Sequence, residues 1–183
     1  MGIASRLTDT APWAPAWIGL LLSPWLVASW LAGAWAGGLD RSLAWGAAAG
    51  FVLLVATAAT YLVLAGDAGA ALLPGLPLLA VSAGPGYGAA GAALHHEARG
   101  RFIAAAVLGV TLVVEGLLLQ QAAAEVPVER SLLVVEAIAG VVLATWIGGL
   151  RAGLVVVMAG AVVLAIELAM LANIGAGLPA VGY

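Results

Sequence analysis

The chain has 183 residues, 64% hydrophobic and only 8% charged, with a formal charge of -3 and a mean hydropathy of +1.16. Soluble domains carry roughly 25% charged residues and cover their surface with them; six Arg, no Lys, nine Asp plus Glu and two His cannot do so here. A soluble enzyme, a nucleic-acid binder and a disordered tail are therefore excluded, and zero cysteines exclude a disulfide framework, a thiolate zinc site and a cysteine nucleophile.

The composition predicts an all-α fold, a polytopic transmembrane helix bundle forming a single domain over residues 1–183. Apolar stretches of about 20 residues, long enough for the hydrocarbon layer, give six spans in chain order: 17–38, 42–65, 76–94, 102–123, 131–149 and 152–173. Pro12, Pro15 and Pro24 interrupt residues 11–24, so a re-entrant or interfacial segment competes with a full crossing there. Trp13, Trp17 and Trp25 read as an aromatic belt at the outer interface. No cleavable signal pattern is evident around Arg6.

The turns between spans one and two, three and four, and five and six hold Arg41, Arg99, Arg101 and Arg151; the opposite ends hold Arg6 and Arg130. Arginine favours the cytoplasmic side, which puts both termini outside. The turn Gly37-Gly38-Leu39-Asp40-Arg41 recurs as Gly148-Gly149-Leu150-Arg151, suggesting three helical hairpins as parallel repeats. Any six-span chain can be cut that way, so the repeat stands as one reading. Four GxxxG pairs, 33/37, 46/50, 84/88 and 149/153, compare with roughly three expected by chance and signal only that helices can pack closely.

In the third span, Gly84-Pro85-Gly86-Tyr87-Gly88 removes a backbone donor and loosens the chain around it. Two outcomes are consistent with it: a break lining a pocket, or a kink that improves packing. His95, His96 and Glu97 resemble metal ligands only by type; adjacent histidines point apart and no third is present. No metal site and no cofactor is predicted.

Intramembrane charge is costly, about 2.5 to 3.5 kcal/mol per group, yet Glu115, Glu136 and Glu167 fall within spans. They lie 14, 15 and 16 residues from Arg101, Arg151 and Arg151, roughly 21 to 24 Å from the inner turns. This predicts one carboxylate layer in the outer half of the bilayer, with Thr57, Thr60 and Tyr61 added from the second span, Ser23 or Ser29 from the first and Ser82 from the third. Three close carboxylates without a cation cannot all ionise, so at least one carries a proton. Such a layer suits a proton relay, a cation site or capture of an amine-bearing small molecule. Carboxylates that serve only packing or reach interfacial water are the competing reading. No GxSxG, HExxH or P-loop is present, so no enzymatic activity is expected.

The pattern SPWLVASWLAGAWAGGLDRSLAWGAAAG, then Thr60-Tyr61, AGPGYGAAGAAL, Arg101 and VEGLLL resembles an uncharacterised family of small actinobacterial multi-pass membrane proteins. The likeness covers most of the chain from Ser23 to Glu136. It implies a helical protein of a bacterial plasma membrane and transfers no activity. Two functions follow as expectations: binding or transport of a small solute or cation at the carboxylate layer, with the 84–88 segment as pocket wall, or a non-catalytic accessory subunit that binds a membrane-protein partner. The lipid bilayer is a partner in either case.

Overall fold

The computed structural model describes residues 23–40, 42–65, 75–122 and 130–177. They form six α-helices: α1 (Ser23–Asp40), α2 (Leu43–Ala65), α3 (Gly75–Ala92), α4 (Ala98–Ala122), α5 (Arg130–Gly148) and α6 (Leu150–Gly177), with a 3-10 turn at Ala93–His95 before α4. The expected segment 11–24 lies largely, and Trp13 and Trp17 wholly, outside the described residues. Three helices carry stretches long and apolar enough to cross a membrane, Leu43–Thr60, Ala98–Leu117 and Leu150–Met170, and no more than about a third of each stretch is buried. Apolar helices that leave most of their surface uncovered suit a hydrocarbon solvent.

The helices group as two sets of three. Helices α1, α2 and α3 pack extensively on one another, as do α4, α5 and α6, while α3 and α4 share little contact. The expected middle hairpin is thus split between two bundles, and the three-hairpin arrangement gives way to a three-plus-three one. The turn motifs are also not equivalent. Gly37 and Gly38 lie inside α1, whereas Gly149 alone separates α5 from α6 with φ near +80°, a conformation that glycine adopts without a Cβ penalty.

The first bundle is closed by small residues. A Cβ on Gly33 would lie 2.5 Å from Gly88 Cα, one on Gly37 would lie 2.6 Å from Ala92 Cα, and one on Gly88 would lie 2.9 Å from Gly50 Cα. Three backbones therefore approach within the space of a missing methyl. The pairs 46/50 and 84/88, uninformative by count, are the contact surface itself. Helix α3 runs unbroken through Pro85: the lost bond to Val81 is tolerated inside an otherwise continuous helix, so the packing outcome applies and the pocket-lining break does not. Gly84 and Gly88 are buried against α1 and α2, and Gly86 is exposed with open space around its Cβ direction. Ser29 Oγ donates to Gly84 O across 3.2 Å.

The seam between bundles has its own core of Trp30, Ala90, Ala93, Ala104 and Leu108. Trp30 Nε1 donates to Ala104 O at 3.1 Å. His95, His96 and Glu97 are exposed as expected, and His95 also donates from Nε2 to Ala34 O at 2.8 Å, its ring lying over Gly38. Trp25 is 6% exposed and belongs to the core of the first bundle, so it forms no part of an outer belt. Exposed tryptophans occur at the other end, near the turns: Trp35 at 71%, Trp45 at 63% and Trp146 at 83%.

Candidate functional site

All three glutamates lie in the second bundle, one per helix: Glu115 on α4, Glu136 on α5 and Glu167 on α6. Helix period decides where each faces. On α4, Ala104, Leu108, Thr111 and Glu115 follow at spacings of four, three and four; Ala104 receives Trp30, Leu108 packs with it, and Thr111 Oγ1 hydrogen-bonds Tyr87 of α3. Glu115 is the next residue on this seam-facing stripe. On α5, Glu136 precedes Gly140, Leu143 and Ile147; Gly140 meets α4, and the other two pack on the seam core. On α6, Glu167 ends the stripe Ala152, Val156, Gly160 and Val163, whose first three members are buried. From 161 to 170 only Val163 and Glu167 are not exposed.

Close contacts fix the relative depths. Gly140 meets Gly109, Leu112 and Val113, and Gly148 meets Phe102 and Ala105. The antiparallel register puts Glu136 level with residues 113–117, the depth of Glu115. Gly109 meets Val156 and Val113 meets Gly160, so Glu115 is level with 162 on the parallel α6. Gly153 meets Thr145, which puts Glu136 at 162 as well. Glu167 therefore lies five residues further out, about 7.5 Å at the helical rise. The single layer resolves into a pair at one depth and a third carboxylate beyond it.

None of the three is a buried residue; each is half-buried. The expected buried layer is corrected accordingly: on the outer part of a three-helix bundle each stripe has neighbours on one side only. Individual oxygens are better shielded. Glu115 Oε2 and Glu167 Oε1 are closed off from solvent, and that of Glu167 has no hydrogen-bond partner among the described residues. Glu115 and Glu136 are both engaged with partners.

The other expected members separate. Thr60 lies on α2, which packs chiefly on α1 and α3, and its hydroxyl donates to Ala56 O at 2.7 Å within its own helix. It does not join the glutamates. The Tyr61 side chain lies outside the described residues. Tyr87, singled out as part of a break, instead joins the bundles. Thr111 Oγ1 donates to Val107 O at 2.8 Å, which leaves the Tyr87 hydroxyl as donor to Thr111. Thr111 was overlooked in the sequence; its four-residue spacing to Glu115 is the signal that could have found it.

The groove on the outside of this bundle, about 460 Å³, is lined by aliphatic residues including Val113, Leu117, Ile138, Val157 and Leu164. Among the described residues, no group of three His, Asp or Glu could hold a metal ion. No protein family, curated protein or solved structure matches the chain.

Proposed function

We propose that this chain is a six-span protein of the bacterial plasma membrane, with both termini outside, that binds a cation or amine-bearing small solute along the seam between its bundles and helps it across. The carrying observation is the pairing in depth of Glu115 and Glu136 on stripes that turn toward the seam. Two carboxylates at one depth in a low-dielectric setting favour an occupant with positive charge. Tyr87 and Thr111 lie one turn inward from Glu115, so polar groups follow one another along the seam; Glu167 stands apart, on the α6 stripe that faces α4 and α5. The reading requires no covalent step and no enzyme. The likeness to small actinobacterial membrane proteins supports the compartment alone.

The test is binding by the full-length protein in lipid nanodiscs, with sodium and ethylammonium as probes and proton release as the readout. Glu115→Gln is expected to weaken binding by about tenfold or more, equivalent to about 1.4 kcal/mol, with an unchanged unfolding midpoint. Identical titrations for the two proteins would overturn the proposal. The accessory-subunit reading is supported by the aliphatic groove on α4–α6. It predicts a stoichiometric membrane-protein partner after gentle extraction.

A further inference from the structure

The two bundles meet chiefly through α4, and inward of Glu115 the seam between them is filled. Thr111 comes one turn in, bonded to the Tyr87 hydroxyl; Leu108 and Ala104 follow, packed with Trp30 and Ala93. All of these except Tyr87 are buried. Thr111 and Ala104 are seven residues apart, about 10 Å along the helix axis. An indole, a leucine and close alanines packed through that depth exclude a hydrated cation. The carboxylate pair itself is only half-buried, so closure on the inner side is not matched at Glu115 and Glu136.

Three hydrogen bonds hold this plug, and each joins the first bundle to α4 or to the turn that leads into it. Trp30 Nε1 donates to Ala104 O at 3.1 Å, the Tyr87 hydroxyl bonds Thr111 Oγ1, and His95 Nε2 donates to Ala34 O at 2.8 Å. Two of the acceptors are backbone carbonyls, so these bonds fix the helices themselves. The joint behind them is short. His96 is extended, with φ -88° and ψ 179°, and a Cβ on Gly100 would collide with Ala93 O, which presses the 3-10 turn onto the first turn of α4. Turn and α4 therefore form one body, held to α1 by Trp30 and His95.

We propose that the plug is a closed gate: Glu115 and Glu136 are reached from the side of the molecule away from the α1–α2 and α5–α6 turns, and passage to the turn side requires the two bundles to part at Trp30. Parting breaks the three bonds and withdraws the indole from Ala104 and Leu108, a hinge movement of two packed bodies. The gate adds a direction of access to the function proposed above and rests on that reading only for what passes.

The test is the reaction of single cysteines in the full-length protein with a membrane-impermeant cationic methanethiosulfonate, in right-side-out and inverted vesicles; the chain has no cysteine of its own. Leu150→Cys, at an exposed position beside the α5–α6 turn, marks the turn side whichever way the chain is inserted. Glu115→Cys is expected to react from the opposite side alone. Adding Trp30→Ala empties the centre of the plug, and reaction of Glu115→Cys from the turn side is then expected to rise by about tenfold or more, equivalent to about 1.4 kcal/mol of lost closure. Trp30→Phe keeps an aromatic ring, removes the bond to Ala104 O and is expected to fall between; it carries the test should Trp30→Ala fail to fold. Reaction of Glu115→Cys from the turn side with Trp30 in place, or from neither side, would overturn the gate, as would turn-side reaction that the folded Trp30 variants leave unchanged. Labelling requires no bound cation, so absent cation binding with this labelling pattern intact would strike the proposed function and leave the gate standing.

Discussion

The two bundles solve the same packing problem with different materials. In the first, glycine and alanine let backbones touch: Gly33, Gly46, Gly50, Gly84 and Gly88 lie where any Cβ would meet another helix. In the second, α4 and α5 likewise meet backbone to backbone at Gly109 and Gly140, but α6 meets α4 through side chains: Gly160 faces the tips of Val113 and Leu117, and Val156 fills the space beside Gly109. Contacts between backbones cannot yield, whereas side-chain tips can. The first bundle carries no glutamate within its described helices and the second carries three, two of them on the α4–α5 pair and one on α6.

Substitutions can break this comparison. Gly88→Ala is expected to have the largest effect, about 3 kcal/mol or more, because its methyl meets the Gly46 carbonyl and Gly50 Cα, both backbone; unfolding of purified protein in mixed micelles would measure it. Tyr87→Phe removes the bond across the seam and is expected to cost about 1 kcal/mol, leaving each bundle intact. Smaller still, Gly160→Ala is expected to change stability by under about 1 kcal/mol, since Val113 and Leu117 can shift rotamer. A Gly160→Ala cost as large as that of Gly88→Ala would erase the distinction between the halves.

Helix positions were legible because charges and breakers mark them. As helices, the stretches 42–65 and 131–149 fall on Leu43–Ala65 and Arg130–Gly148, the second carrying only a shorter apolar segment, Val134–Gly148. Partnership was not. Charge along a chain says where helices end, and nothing in it told α3 to pack with α1 and α2 in preference to α4. Counting residues from Arg101 and Arg151 assumed that all inner turns lie at one level. Side-chain contacts such as Gly153 with Thr145 set the real offset, and so Glu167 leaves the layer. Tryptophan by itself also carries no depth: Trp25 and Trp30 fill cores, while Trp35 and Trp45, of the same type and on neighbouring turns, face outward. Thr60 misled for another reason: its hydroxyl is satisfied by its own helix, an option open to any intramembrane threonine.

The single residue between α5 and α6 has a mechanical consequence. Gly149 donates to Thr145 O at 3.0 Å and accepts from Ala152 N at 3.0 Å, closing one helix and opening the next with no slack. The turn acts as a fixed gear tooth between the two. One added residue there would turn α6 by about 100° relative to α5, carrying Glu167 from the inner stripe to the lipid face while leaving the composition of the helix untouched. The azimuth of a carboxylate some 27 Å away along the helix axis is thus set by one glycine that touches nothing but its own backbone.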